Sequence, residues 1–586
     1  MLVCSFLVFS SVWAQPVNLY VSPNGDGNKF TKEAPGSLLA AKEKVKTLRN
    51  GMNADINIWL LSGTYQLTAP LIFTCEESGL NGFSVIYKAV SDAKPVISSG
   101  KIISGWIMHD VAKTIYKAPV PDSFQTRDFF VNGIRAQRAR GEDKPADFTK
   151  IATGYRLPVA GFYSGMNNWR NPENIEIVGF TEWRMFRCPV ADINDSILNI
   201  QPEAWKNATD NKFGIKEPAW VENAYELLDE EGEWYLDNKA QCLYYKPRQG
   251  ENMADVTAVA GNLEALIEGI GTPESPVQNI HFHGISFGYN TWLAPNKPYG
   301  FISNQASYYK IAAGREKMPS AITFKTARNI VFEGNTFFNL ANPALEFGEG
   351  CQGIIILANT FRNLGASAIE IGGVKPSDHH PDNPSLMVKD NKIVNNYITG
   401  TGQIYLCTAA ILIGYTANTI IAHNEIHDVP YTGISLGWGW GKEDKKAPTA
   451  VKNNKIEYNH IYDYIKKLKD GGGIYVLGDQ PGLSINNNYI HHSYQMHAGI
   501  YLDNGTRHVQ VENNVVANMF SNWIFMQLHV GIFATDNIAR NNFSDTPNQL
   551  IAKGNTVSNN IVVTDGNWPA AAMKIIEEVG IHQPYK

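Results

Sequence analysis

Two short words alternate through the second half of this chain, and together they leave few folds open to it. The first is an Asn followed by an apolar strand, beginning at Asn335, Asn359, Asn396, Asn424, Asn459, Asn488, Asn514 and Asn542, at intervals of 24 to 37 residues. The second runs small, aliphatic, variable, aliphatic and often Gly, as in Ala368-Ile369-Glu370-Ile371-Gly372, Gly433-Ile434-Ser435-Leu436-Gly437 and Gly473-Ile474-Tyr475-Val476-Leu477. Short strands recurring at a nearly fixed period cannot bury their apolar faces singly, and stacking coil on coil solves this, so the pattern predicts a parallel β-solenoid. Such a fold offers one long face to an extended polymer.

Size agrees. At 586 residues and 44% hydrophobic content the chain exceeds what one compact core holds, and a quasi-one-dimensional stack removes that limit. A net charge of -6, with the short Lys466-Lys467-Leu468-Lys469 patch as the main basic run, argues against a nucleic-acid partner. Aromatic content of 11%, including 13 Trp and 26 Tyr, suits a surface that stacks on sugar rings.

Residues 1–14 read as a signal peptide, apolar and ending with Val12 and Ala14 at the cleavage positions, so export to the periplasm or cell exterior is expected. No later stretch has the roughly 20 apolar residues of a membrane span. Cys75, Cys188, Cys242, Cys351 and Cys407 are odd in number and scattered, so no disulfide framework is expected. A monomer without cofactor is the expectation.

Four segments follow. After the signal, residues 15–125 carry an N-terminal cap and first rungs, in which Ser37 caps a helix with Leu38, Ala41, Val45 and Leu48 on one stripe. From 126 to 256 the ladder gives way to hairpins, one turning at Asn132-Gly133 and one at Asp237-Asn238-Lys239, which predicts an inserted antiparallel β domain. Residues 257–586 form the main stack, with a terminal helix over Pro569 to Val579 whose Ala572, Ile575, Ile576 and Val579 share a face.

Along each rung the aliphatic residues point inward, so the intervening ones line a shared outer face. The first outward positions are Glu346, Glu370, Leu412, Ser435, Tyr475, Tyr501 and Phe525, and the next are Gly348, Gly372, Gly414, Gly437, Leu477, Asp503 and Gln527. Asp503 is therefore an isolated charge beside Tyr475 and Tyr501. Two carboxyls that cleave a glycoside stand roughly 5 to 9.5 Å apart. With rungs spaced about 4.8 Å, Glu370 lies on the order of 19 Å from Asp503, too far to be its partner but still a candidate substrate contact. Asp479 and Asp470 are the nearer acids. A flat strand puts Asp479 roughly 8 Å from Asp503, and the Gly triplet after Asp470 would let that residue fold over the sheet. His529, His497, Trp438 and Trp440 are further candidate substrate contacts. Asp378-His379-His380 holds metal-capable side chains but lacks strand support, and no metal site is assigned.

Asp470-Gly-Gly-Gly-Ile-Tyr-Val-Leu-Gly478, Gly499-Ile-Tyr-Leu-Asp503, His529-Val-Gly531, Leu61-Ser-Gly-Thr-Tyr65 and the segment from Trp234 to Arg248 resemble glycoside hydrolase family 141. The resemblance implies an all-β, right-handed parallel β-helix, pectate-lyase-like, with an inserted antiparallel domain and helical caps. It also implies glycosidic-bond hydrolysis on plant cell-wall polysaccharide or its oligosaccharides, α-L-fucosidase first and xylanase or xylosidase next. Carried over position by position, the acids of its two central motifs fall on Asp470 and Asp503; Leu528 stands where the commoner pattern has a second His beside His529. A polysaccharide lyase acting on uronates is one rival reading, although the outward positions hold no Lys or Arg. A non-catalytic glycan-binding β-helix is another, favoured if the two acids prove far apart.

Overall fold

The computed structural model describes residues 15–442 and 449–584, so the expected signal peptide lies outside the described residues. Among these, three parallel sheets of 13, 12 and 11 strands run the length of a right-handed β-helix. Parallel in-register pairing stacks like on like: Ile411, Ile434, Ile474, Ile500 and Ile524 are successive partners in the third sheet, and all are fully buried. Each such side chain contributes roughly 1.5–3 kcal/mol of burial. The helix Leu38–Arg49, capped by Ser37, buries Leu38, Ala41 and Val45 at the N-terminal end. At the other end Ala570–Glu578 lies against the outer side of the second sheet, on Val515 and Phe543.

The recurring Asn turns out to do more than turn the chain. Each of the eight is buried, and its Nδ2 donates to Oδ1 of the next at 2.9–3.0 Å, a stack that Asn560 extends at 2.9 Å. The preceding residue takes the left-handed backbone conformation at every corner, including Ala358, His423 and Tyr458. The chain thus turns sharply while the amide faces inward and satisfies neighbouring backbone groups.

The ladder is interrupted without losing register. Val85–Ala89 pairs directly with Val277–His283, Pro95–Ser98 with Ser286–Gly288, and Leu71–Phe73 with Ile267–Ile270. What lies between is a mainly antiparallel excursion with one parallel pair, Gln137–Arg138 beside Glu233–Asp237, and it is wider than the expected 126–256, because Lys101–Ile103 already pairs antiparallel with Ala258–Ala260. Its apolar alternation reads like that of a rung. A second excursion, Phe301–Gln305, Tyr308–Ile311 and Gly314–Lys317, joins the inserted sheet through Arg187↔Phe301 and Phe186↔Ile302. It folds over the outer face of the third sheet.

Candidate active site

Gly471–Leu477, His497–Leu502 and Asn522–Met526 are neighbours in the third sheet, with Tyr475, Tyr501 and Phe525 in register. Their inward Ile partners fix the rings on the outer face. Tyr501 and Phe525 stack at 4.7 Å, Tyr475 meets Tyr501 edge-on at 5.1 Å, and His497 stacks against Tyr501 at 5.5 Å. These rings do not form the open platform expected of outward positions. Tyr475 and Tyr501 are buried, since Gln305 of the second excursion and Trp440 close over them.

Asp503 follows directly on the His497–Leu502 strand, and four donors converge on its carboxylate. Tyr475 reaches Oδ2 at 2.6 Å, while Asn504 Nδ2, Gln527 Nε2 and the Tyr501 hydroxyl reach Oδ1 at 2.9, 3.0 and 3.0 Å. The Tyr501 hydroxyl also lies 3.2 Å from Oδ1 of Asp470, and it accepts from Gln527 at 3.1 Å. One phenolic oxygen therefore stands between two carboxyl groups. Laid end to end, its two contacts limit the separation of those acid oxygens to at most about 6 Å, below the upper end of the roughly 5 to 9.5 Å window of glycosidase acids.

Asp470 takes the left-handed conformation immediately before the strand Gly471–Leu477, which opens with three glycines. A Cβ on Gly471 would stand 2.6 Å from Thr432 Oγ1, and one on Gly473 would stand 2.5 Å from Ile490 Cγ2. Side chains at this corner would collide with the core. Tyr431 donates to the Asp470 carbonyl at 2.9 Å, and Lys469 N–H donates to the Glu182 carbonyl of the inserted domain at 2.9 Å, which anchors the loop from both sides.

Burial, and then the charge of Asp503, push the Asp470 carboxyl up to about 7, with the Tyr501 hydrogen bond opposing. The same two causes hold Tyr475 and Tyr501 well above the ordinary tyrosine value, so both remain donors. A single hydroxyl proton cannot serve two anions. With Tyr501 donating to Asp503, a protonated Asp470 fills the remaining lone pair of the hydroxyl, and the contacts close into a consistent chain. His497, whose Nδ1 is 3.7 Å from Asp470, is kept below its ordinary value by burial.

The other candidates divide. His529 is exposed beside the site, where its backbone N–H donates to Gln527 Oε1 at 2.8 Å. Trp440 joins the Tyr475/Tyr501 cluster, whereas Trp438 is buried against Tyr308 at 4.9 Å. Asp479 lies in the first sheet, engaged by His508 at 2.7 Å and Arg507 at 3.5 Å. Glu370 is fully buried three strands from Tyr475, where Lys317 lies 3.0 Å from it and 3.2 Å from Glu346. Burial raises the Glu370 carboxyl above its ordinary value, and Lys317 opposes this.

Gln527, Asn504, Gln305 and Tyr431 carry no role in the sequence reading. Of these, Gln527 had a signal, as a polar residue in the outward position next to that of Phe525. Asp378 caps the backbone N–H of Lys375 at 2.7 Å, and His379 contacts His380 at 2.7 Å. Among the described residues no group of three or more His, Cys, Asp or Glu is arranged to hold a metal, and none is long and apolar enough as a helix to cross a membrane.

Family models match in two places: the right handed beta helix region over residues 380–564, and the GH141 insertion domain over residues 196–248. Among solved structures, a glycoside hydrolase superposes with a TM-score of 0.78 at 26% identity, covering 97% of this chain and 100% of that one. XylC in complex with xylose superposes at 0.54 with 13% identity, covering 94% of this chain and 86% of the other, which is a likeness of fold. A search of curated protein sequences gives no match. The resemblance to glycoside hydrolase family 141 thus extends over both the stacked fold and the inserted domain.

Proposed function

We propose that this chain is a glycoside hydrolase in which Asp470 is the general acid/base and Asp503 the nucleophile. The observation that carries the reading is the Tyr501 hydroxyl in hydrogen-bond contact with both carboxyls. The limit of about 6 Å that it sets favours the roughly 5–5.5 Å spacing of retaining enzymes over the 6.5–9.5 Å that inversion needs to seat a water. Asp470 suits the acid because its raised value keeps the proton near neutral pH. Asp503 suits the nucleophile because its ring of donors stabilises negative charge.

In the first step a glycosidic oxygen replaces Tyr501 as the acceptor of the Asp470 proton. The bond from that oxygen to C1 breaks while a carboxylate oxygen of Asp503 bonds to C1. Water then gives a proton to Asp470 as its oxygen bonds to C1 and the bond from C1 to Asp503 breaks, which frees the sugar and restores both acids. Closeness of the acids supports this reading over that of a non-catalytic glycan binder.

By the family resemblance, α-L-fucosides of plant cell-wall polysaccharide, pectic side chains included, are the first expected substrates and xylan or xylosides the next. The apolar segment at 1–14 supports export, and the enzyme acts as a monomer without cofactor. The test is an aryl-glycoside and oligosaccharide panel with product anomers followed by NMR. Retention is expected first, and Asp503→Asn should lose turnover by about 10⁴-fold or more while keeping its melting temperature. Near-normal turnover in that variant, or an inverted first product, would reject the assignment.

A further inference from the structure

A cavity of about 380 Å³ lies between the inserted domain and the β-helix loops at 403–406 and 467. Three guanidiniums, of Arg127, Arg138 and Arg187, surround two carboxylates, of Glu176 and Glu222. Arg138 lies 2.9 Å from both acids, Arg187 lies 2.7 Å from Glu222 and 3.5 Å from Glu176, and Arg127 grips Glu176 with both terminal nitrogens. One positive charge is left over. The Arg127 and Arg187 side chains are only 2% and 6% exposed, and the Nε atoms of all three lack a hydrogen-bond partner among the described residues.

More positive charge stands around the opening. Lys144 and Lys467 line it, and Arg140 lies 4.5 Å over the Trp220 ring, shared with Asp143 at 2.9 Å. The walls between are apolar, formed by Phe180, Met185, Trp220, Ile404 and Leu406. A surplus buried cation beside apolar walls is costly when empty of counter-charge and complementary to a ring that carries one oxyanion.

We infer that this cavity is a binding subsite for an acidic sugar residue, one bearing a carboxylate or a sulfate. Its position ties it to the proposed chemistry: Lys467 on its wall belongs to the loop that ends at Asp470, and Lys469 bonds that loop to Glu182 of the inserted domain. The inserted domain therefore holds an anionic unit of the glycan while a neighbouring linkage meets the two acids. This last clause rests on the proposed function; the anion site itself does not.

Isothermal titration of the full chain with digalacturonate, a sulfated galactose disaccharide and neutral galactobiose tests it. At least tenfold tighter binding of one acidic probe than of the neutral one is expected, and the two acidic arms identify the oxyanion. Arg138→Gln leaves two guanidiniums for two carboxylates and should weaken that binding at least tenfold. Glu222→Gln increases the surplus charge and should tighten it several-fold. A merely structural network would respond to both changes in the same direction, so parallel losses, or equal binding of neutral and acidic probes, overturn the inference. Charge-dependent binding with a 232 nm absorbing unsaturated product would uphold the subsite and overturn hydrolysis in favour of a lyase.

Discussion

The hydroxyl of Tyr475 donates to the carboxylate of Asp503, just past the end of the adjoining strand, at 2.6 Å. Parallel stacking makes that contact possible: Tyr475 is the register partner of Tyr501, two residues before Asp503, so both phenols approach the acid from one side. Stacking also means that each donor can be removed singly without disturbing the inward Ile column.

Tyr475→Phe should keep the fold and lower kcat by about 10- to 100-fold. A hydrogen bond to a charged group is worth roughly 1.5–3 kcal/mol, which at 1.36 kcal/mol per decade gives that range. Steady-state kinetics beside a thermal melt checks it; an unchanged kcat would remove Tyr475 from any role in supporting the nucleophile.

Hydrolysis should follow the protonation of Asp470. With its carboxyl raised to about 7, kcat/KM is expected to fall as pH rises above about 7, where the acid has lost its proton. Asp470→Asn should abolish this alkaline limb. It should also retain more activity on substrates with a good leaving group, such as dinitrophenyl glycosides, than on those with an alkyl leaving group.

Stability should carry the same signature with a definite sign. Folded Asp470 holds its proton up to about pH 7, while the unfolded carboxyl releases it near the ordinary value of about 4. Between those values the folded state binds more protons, so this contribution to stability declines as pH rises. Asp470→Asn should therefore gain melting temperature relative to the parent between pH 4 and pH 8. A difference that is flat or shrinks over that interval would contradict the raised value.

Asn459→Ala should cost roughly 3–5 kcal/mol in denaturant unfolding. The change removes the acceptor of Asn424 N–H and Nδ2, at 3.1 and 2.9 Å, and the donor to Ile421 O and Asn488 Oδ1, at 2.9 and 3.0 Å. Buried partners left unpaired make the loss larger than that of the bonds alone.

How far the sequence could be read depended on the range of the contacts involved. The stacked rungs were legible because an inward Ile every second residue is a local pattern, and so was the Asn132-Gly133 hairpin, whose two residues take the left-handed conformation. Asp503 was legible as a lone charge on an otherwise small or neutral row. The role of Asn as an internal amide stack was not, since the same residue is equally expected at a turn. Nor was the cover over Tyr475: Gln305 reaches it across 170 positions through an antiparallel pairing without a local mark. The place of Asp479 was not legible either, since a flat-strand estimate ignores the corner that carries it into the first sheet. The Arg cavity lay outside any rung, so counting cations on the outward row could not find it.

The rung before the inserted domain and the rung after it are hydrogen-bonded to each other as though no residues came between them. The cylinder thus keeps its register across that seam, and what is spliced in there acts on the acids through separate contacts, such as that of the Glu182 carbonyl with the loop ending at Asp470.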